Sequence, residues 1–171
     1  MKIAVYTIAL NEEKNIQEWY DSAKDADYLF IADTGSTDKT IRLAKNLGIN
    51  VAKISVKPWR FDDARNAALA LLPDDIDMCI SLDMDERLSK GWREKIESID
   101  ESYTQISYKY TWSWRDPDSR TQPKIVYLLN KVHRRHGYRW KYLVHELPFP
   151  DRNENHKEGF LEGFEIYHYS K

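Results

Sequence analysis

The sequence predicts an α/β protein of three layers, with helices on both faces of a mostly parallel central sheet. Apolar runs of strand length alternate with segments whose apolar residues recur at helical spacing, and this alternation is typical of parallel sheets. The first run, residues 3–10, is largely continuous rather than alternating, as strands covered on both faces tend to be. Residues 103–114 alternate in part, which adds a small antiparallel section near the C-terminus.

Size and charge narrow the classes of function. A chain of 171 residues fits one domain, residues 1–171, with a core of ordinary size. Its 26 basic and 28 acidic residues give no general attraction to nucleic acid or to an anionic membrane. No apolar stretch approaches the roughly 20 residues of a membrane span. The single cysteine, Cys79, excludes an internal disulfide and fits a reducing compartment, so we expect a cytoplasmic protein.

The first half of the chain supplies the parallel part of the sheet. Strands are predicted at residues 3–10, 28–32, 51–54 and 78–82, separated by helices that start near residues 16, 39 and 62. Gly48 is expected to end the second helix, Asp62 to cap the third, and Pro73 to stop it.

Polar side chains follow three of these strands, at residues 7–12, 33–38 and 83–86. The carboxyl ends of parallel strands meet at one edge of a sheet, where ligands of such folds bind. A single acidic loop would be unremarkable on a protein surface. Three polar clusters at the same edge predict a binding site.

Asp83 and Asp85 are the most informative of these residues. In an extended chain their side chains point to the same side, where two carboxylates repel each other unless a cation joins them. A hard divalent ion that also binds a diphosphate accounts for the pair, and a solvated acidic loop is the alternative. The sequence has no Gly-x-Gly-x-x-Gly or Walker A loop. A diphosphate would therefore need a metal and a few cations, of which Arg65 is the best placed.

Four segments, in this order, resemble the successive motifs of family 2 glycosyltransferases, which have the GT-A fold. They lie at residues 7–12 (Thr-Ile-Ala-Leu-Asn-Glu), 33–40 (Asp-Thr-Gly-Ser-Thr-Asp-Lys-Thr), 61–69 (Phe-x-x-Ala-Arg-Asn-x-Ala-Leu) and 82–86 (Leu-Asp-Met-Asp-Glu). Thr34 departs from the common Asp-Asp-Gly-Ser pattern. The resemblance implies a nucleotide-binding half, about residues 1–90, and an acceptor-side half, about residues 91–171.

The resemblance also implies roles for individual residues. Asp33 would lie near a uracil ring, and Asp85 would bind the Mn²⁺ or Mg²⁺ ion that bridges the diphosphate of a nucleotide-sugar donor. A late histidine often completes the metal shell in GT-A enzymes, and His168 fits by order; an imidazole ligand favours Mn²⁺. The residues implied in nucleotide binding are Thr7, Ala9, Asn11, Glu12, Asp33, Arg65 and Asp83.

The acceptor side carries most of the rings, because residues 92–171 hold 15 of the 22 aromatic residues. Aromatic faces can stack on sugars, so Trp112, Trp114 and Trp140 are candidate acceptor contacts; packing within a sheet is the alternative. Related bacterial family 2 proteins carry a similar His-Glu pair after an aromatic segment. By this resemblance Glu146 is the candidate base that takes the acceptor proton, with His145 beside it. Asp116 and Asp118 are alternative candidates for the base.

These observations predict an inverting glycosyltransferase that moves a sugar from a nucleotide donor, UDP-linked by expectation, to a hydroxyl of a carbohydrate or similar acceptor. The basic stretch 131–141 is interpreted as facing a diphosphate, an anionic acceptor or only solvent, rather than as a nucleic-acid site, with His133 and His136 at the surface. A sugar-phosphate nucleotidyltransferase is an alternative, although residues 7–14 lack its Gly-rich loop with Arg and Lys. A non-catalytic module that binds nucleotide sugars is another.

Overall fold

The computed structural model describes residues 1–151 and 155–169. The strands of these residues are β1 (Ile3–Ala9), β2 (Tyr28–Asp33), β3 (Asn50–Lys53), β4 (Met78–Ser81), β5 (Glu86–Leu88), β6 (Gln105–Trp114), β7 (Pro123–Arg134), β8 (Tyr138–Lys141), β9 (Leu147–Pro150) and β10 (Glu158–His168). The helices are α1 (Ile16–Ala23), α2 (Thr40–Asn46), α3 (Phe61–Ala70) and α4 (Trp92–Glu97).

The main sheet has eight strands in the order β3-β2-β1-β4-β7-β6-β10-β5. The pairs from β3 to β4 are parallel, as is β6 with β10, whereas β7 is antiparallel to both of its neighbours and β5 is antiparallel to β10. Strands β8 and β9 form a separate two-stranded sheet. The predicted α/β class, with a mostly parallel sheet and an antiparallel C-terminal section, is confirmed.

Helices cover both faces of this sheet. The apolar residues of α1 recur at helical spacing, and Ile16, Trp19 and Ala23 enter one core together with residues of α2 and α4. On the other face, Ala68 and Leu69 of α3 pack in a second core. Fully burying an apolar side chain is worth about 1.5–3 kcal/mol, so these two layers fix the helices against the strands.

The observed ends of several helices and strands differ from the predicted ones by one or two residues, and one capping prediction was wrong. Helix α3 begins at Phe61 with Arg60 as its N-cap residue, so Asp62 lies in the first turn instead of capping it. The Asp62 carboxylate accepts a hydrogen bond from the Arg60 guanidinium at 2.8 Å, so its side chain pairs with the N-cap residue itself. Gly48 does follow α2 with a φ of +75°, which favours glycine.

Strand β5 was not predicted, because its three residues follow the acidic cluster directly. It pairs antiparallel with the C-terminal strand β10, with Glu86 opposite His168. This pairing brings the end of the described chain to the acidic edge of the sheet.

Candidate active site

The acidic segment after β4 forms a tight turn that separates its carboxylates. The Glu86 amide donates to the Asp83 carbonyl at 2.9 Å, and the Asp83 amide donates to the Glu86 carboxylate at 2.8 Å. The turn gives Asp83, Asp85 and Glu86 three different sets of partners. The two aspartates therefore do not act as one symmetric pair.

Asp83 is held by two cations. Its Oδ1 lies 2.7 Å from Nη1 of Arg65, and its Oδ2 lies 3.2 Å from Nζ of Lys131. Burial acts to raise the pKa of Asp83, but the two cations outweigh it and hold the pKa well below its usual range. Asp83 is thus a carboxylate at neutral pH, with both oxygens already paired.

Glu86 lies deeper and shares Lys131 with Asp83. The Lys131 ammonium donates to both Glu86 oxygens, at 2.7 and 2.9 Å, and the Tyr110 hydroxyl donates to Oε1 at 2.7 Å. Burial is the main reason that the pKa of Glu86 is raised. Glu86 belongs to the predicted acidic cluster 83–86 and Lys131 to the basic stretch 131–141, but neither was singled out as a site residue. Tyr110 was not predicted as a site residue either.

Asp85 meets the predicted second metal ligand. Its Oδ2 lies 3.1 Å from Nε2 of His168, while Nδ1 of His168 lies 2.9 Å from the Trp112 carbonyl. Burial lowers the pKa of His168, but its hydrogen bonds to Asp85 and to the Trp112 carbonyl outweigh burial and raise it. With Nδ1–H donated to the carbonyl, Nε2 is the nitrogen that can bind a cation.

This pair fits a divalent ion in its chemistry. A carboxylate and an imidazole oriented by a carbonyl are suitable ligands for Mn²⁺, and a carboxylate alone also suits Mg²⁺. Residues 1–151 and 155–169 contain no group of three or more His, Cys, Asp or Glu that could hold a metal ion. A metal here would take its remaining ligands from a bound molecule.

Glu146, the candidate base, lies against Arg65. The Arg65 Nε donates to Glu146 Oε1 at 2.8 Å. The same guanidinium lies over the Trp140 ring, 4.8 Å from the ring centroid, and this cation–π contact helps to hold Arg65 in place. Glu146 borders a cavity of about 220 Å³ whose wall includes Asp83, Tyr110, Trp112, Tyr127 and Lys131.

The predicted acceptor residues differ in exposure. Trp112 is 44% exposed, lines this cavity and stacks on the His168 ring at 4.3 Å. His145 is exposed and lines the same cavity. Trp114 is half-buried and stacks on Tyr169. Asp116 and Asp118, the alternative bases, are exposed in the turn between β6 and β7 and do not line the cavity.

Trp140 does not have the position that was expected of an acceptor contact. It is 1% exposed, because its ring fills the core between α3 and β1. Its Nε1 donates to the Tyr6 hydroxyl at 2.8 Å, and that hydroxyl lies 3.2 Å from Nε2 of His133. Trp140 therefore supports Arg65 rather than offering a face to a sugar.

His133 was expected at the surface, and this prediction was wrong. The side chain is fully buried, and its Nδ1 lies 2.8 Å from the Arg134 carbonyl. Burial lowers the pKa of His133 to about 4. A neutral ring that donates from Nδ1 and accepts from Tyr6 at Nε2 satisfies both contacts. His136 is exposed, as predicted.

A second cavity lies at the ends of β1 and β2. It has a volume of about 400 Å³ and is lined by Ile8, Ala9, Leu10, Glu12, Thr34, Trp59 and Phe61. Two rings at its mouth, Trp59 and Phe61, meet edge to face at 5.3 Å, and neither was predicted as a site residue. Phe61 opens the family motif at residues 61–69, which was the available signal, whereas Trp59 lies outside that motif.

Several of the predicted nucleotide-binding residues make hydrogen bonds that hold the loops around this cavity. Asp33 is fully buried, and its Oδ2 accepts the amides of Gly35 and Ser36, each at 3.1 Å. Thr7 is 1% exposed, and its hydroxyl donates to the Ile8 carbonyl.

Asn11 and Glu12 join the loops after β1 and β2. The Asn11 side-chain oxygen accepts the Thr37 amide at 2.8 Å, and the Glu12 amide donates to the Thr40 hydroxyl at 2.7 Å. Roles in nucleotide binding for Thr7, Asn11 and Asp33 stay predictions.

The fold and the edge site together define a GT-A type of α/β protein. The sequence model of "Glycosyl transferase family 2" matches residues 4–169, and the chain belongs to that family.

Curated relatives agree with this assignment. An uncharacterized glycosyltransferase of Rickettsia bellii is 36% identical to this chain over 109 residues, which are 63% of this chain and 35% of that protein. A counterpart from Rickettsia typhi is 35% identical over 109 residues, 63% of this chain and 36% of that protein. The chain spans about a third of the length of these relatives.

Solved structures share the fold. S. aureus TarS 1-349 in complex with UDP-GlcNAc has a TM-score of 0.54 at 19% identity, over 72% of this chain and 37% of that one. Glucosyl-3-phosphoglycerate synthase from Mycobacterium tuberculosis, in complex with Mn²⁺, UDP and glucosyl-3-phosphoglycerate, has a TM-score of 0.51 at 26% identity. That match covers 64% of this chain and 44% of the synthase.

Proposed function

We propose that the chain is an inverting, metal-dependent glycosyltransferase that moves a sugar from a UDP-linked donor to a hydroxyl of a carbohydrate or similar acceptor. The observation that carries the proposal is the meeting of three groups at one edge of the sheet. These are the Asp85–His168 pair, the Arg65–Asp83 pair, and Glu146 beside an open cavity. The first two groups suit a metal diphosphate, and the third suits an acceptor.

Asp85 and His168 would hold Mn²⁺ or Mg²⁺. When bound, such an ion offsets the negative charge that develops on the departing nucleoside diphosphate. The Trp112 carbonyl orients the His168 ring for this role, at 2.9 Å from Nδ1. Support also comes from the M. tuberculosis synthase, whose structure holds Mn²⁺ and UDP.

Glu146 would act as the general base. Its Oε1 is engaged by Arg65 at 2.8 Å, so Oε2 remains to accept the proton of an acceptor hydroxyl bound in the 220 Å³ cavity. That hydroxyl oxygen attacks the anomeric carbon as the bond to the diphosphate breaks. Attack from the face opposite the leaving group inverts the anomeric configuration.

The 400 Å³ cavity would take the nucleoside. Its apolar wall and the two rings at its mouth can stack on a base, and it lies at the carboxyl ends of β1 and β2. Arg65 and Asp83 lie toward the other cavity and would contact the ribose and phosphates. TarS and the synthase are bound to UDP-GlcNAc and to UDP, respectively, which supports a uridine donor.

The test is UDP binding, measured by calorimetry and thermal shift with and without Mn²⁺. The native protein should bind UDP more tightly with Mn²⁺, and Asp85→Ala should lose this enhancement because one of two protein ligands is gone. Asp25→Ala is the matched control and should behave as the native protein, because this exposed aspartate precedes the amino end of β2 and the site lies at the carboxyl ends of the strands. Native UDP affinity and native Mn²⁺ enhancement in Asp85→Ala would reject the metal assignment.

Two further assays separate the alternatives. Release of pyrophosphate from UTP and a sugar phosphate would indicate a nucleotidyltransferase. UDP-sugar binding with neither transfer nor slow donor hydrolysis would indicate a binding module.

Among the described residues no helix is both long and apolar enough to span a bilayer, and a cytoplasmic location stays a proposal that rests on Cys79.

A further inference from the structure

Strand β7 has a long stretch that is paired on one side only. It pairs with β6 along most of its length, from Pro123 to His133. On its other side β4 reaches only residues 132–134. Within the described ranges, residues 124–129 therefore present an open row of backbone donors and acceptors, whereas the Asn130 carbonyl already accepts from Nε2 of Gln105 at 2.9 Å.

The formal edges of the sheet are protected in a way that this stretch is not. Strands β3 and β5, at the two ends of the sheet, have four and three residues. Short edge strands offer little for another strand to pair with. The open stretch of β7 is longer, and between residues 125 and 130 it has no proline and no charge.

The open stretch is also apolar on both faces. Ile125, Val126, Tyr127 and Leu128 are consecutive, and each is between 41% and 60% exposed. Because strand side chains alternate, no register of this strand alone can bury all four. Large contiguous apolar surface of this kind marks an interaction site.

A second apolar segment leads into the wall of the same 220 Å³ cavity. Its residues 142–144 are 58% to 70% exposed, and His145 and Glu146 that follow them line the cavity, as Tyr127 of β7 does. Half of the strongly exposed large apolar side chains in the described part of the chain come from these two segments. The exposed apolar surface is thus concentrated around one opening.

We infer that residues 125–129 of β7 pair antiparallel with the same strand of a second copy of this chain, about a two-fold axis. An unpaired strand edge is complementary to another strand, and this strand is complementary to itself. An axis at Tyr127 puts Ile125 opposite Leu129 and Lys124 opposite Asn130. Apolar side chains then meet apolar ones, and no like charges face each other.

The nearest buried cation does not oppose this pairing. Lys131 points inward, where its ammonium lies 2.7 Å from Glu86. The pairing would satisfy the open backbone groups of both copies and cover the apolar strand faces in part. Since Tyr127 lines the cavity, the second copy would border the mouth of the proposed acceptor site.

The experiment is sedimentation velocity of three proteins at equal micromolar concentration. The native chain should be a dimer, and V126K combined with L128K should be a monomer, because lysines at the pairing strands bring like charges together. Such juxtaposition should raise the dimer Kd by about a hundredfold or more. The control, L71K, alters a side chain 49% exposed at the end of α3 and should remain a dimer.

A native chain that is monomeric at these concentrations overturns the inference, as does a dimer of the double lysine variant. Vesicles of phosphatidylglycerol and phosphatidylcholine test the other occupant. A monomer that sediments with them through Val126 and Leu128 would assign the surface to lipid instead. If the lysine variant does not fold, V126C treated with a short bismaleimide should cross-link in the native fold, whereas L71C should not.

Discussion

Arg65 is the side chain on which the candidate site depends most. It is 7% exposed and contacts Asp83 at 2.7 Å, Glu146 at 2.8 Å and the Ser81 hydroxyl at 3.2 Å. Burial would lower the pKa of Arg65, but the two carboxylates outweigh it and raise the pKa. One guanidinium thus fixes the positions of a proposed donor contact and of the proposed base.

Glu146→Gln tests the base directly. The amide oxygen of glutamine can still accept from Arg65, so the fold and UDP affinity should be retained. Turnover should fall by about 10²–10⁴-fold, because the amide cannot take the acceptor proton. The measurements are UDP affinity and UDP release from UDP-sugar donors.

Glu97→Gln, an exposed glutamate of α4, serves as the control and should keep native turnover. Retained turnover in Glu146→Gln would move the base elsewhere, and Asp116 and Asp118 would then be tested in the same way.

At the scale of elements, the sequence was informative wherever a local pattern decides the structure. The apolar runs of β1, β2 and β4 and the stripe of α1 are local, and each element formed within two residues of its prediction. Strand β5 has only three residues, so no periodicity could identify it.

The contacts that complete the site come from register between distant strands. Glu86 lies opposite His168 across β5 and β10, and Lys131 reaches Asp83 from β7. Asp85 and His168 were still expected to act together, because both match a family pattern, and their metal role stays a prediction. Lys131 and Tyr110 carry no such pattern, and their roles follow only from the folded sheet.

The pairing of β10 with β6 gives a prediction for Gly159. A Cβ there would lie 2.7 Å from Cδ1 of the Tyr103 ring. Gly159→Ala should lower the free energy of unfolding by about 1–3 kcal/mol, since the ring or the strand must move. Urea unfolding measures the change.

The control is the same substitution in a Tyr103→Ala background, where the ring is absent. There Gly159→Ala should change stability by less than about 0.5 kcal/mol. An equal loss in both backgrounds would mean that the backbone of β10, rather than the ring, requires glycine.

For the whole molecule, the buried His133 predicts how stability depends on pH. Its pKa falls from 6.5 to about 4 on folding, so the unfolded chain binds the proton more readily. The contribution is fully present above pH 6.5 and is lost as the pH falls toward 4, to a total of about 3 kcal/mol. Urea unfolding at several pH values between these limits measures it.

His133→Gln isolates this effect, because the variant has no ring to titrate. The raised pKa of His168 acts in the opposite direction, adding stability as the pH falls, and is common to both proteins. The native chain should therefore lose more stability than His133→Gln over this range. Equal slopes would mean that His133 titrates alike in the folded and the unfolded chain, which would contradict its burial as a neutral ring.

The fold class, the family and the edge of the sheet that carries the site could be predicted from sequence because they rest on repeated apolar patterns and ordered motifs. The burial of His133 and Trp140 could not, because their segment is basic and reads as solvent-exposed. In the folded chain the Tyr6 hydroxyl accepts from Nε1 of Trp140 and contacts Nε2 of His133, so both rings lie in the core with their polar atoms hydrogen-bonded. Donor sugar and acceptor depend on loop contacts that no local pattern encodes.

The pairing of β4 with β7 has a mechanical consequence. It joins strands from the first and the second half of the chain in one continuous sheet. Hinge bending between the halves would have to break this ladder, so the distance from Asp83 to Lys131 is set before any ligand arrives. Under the proposed function, any closure over a donor would fall to loops at the rim of the sheet, such as the segment that carries Glu146.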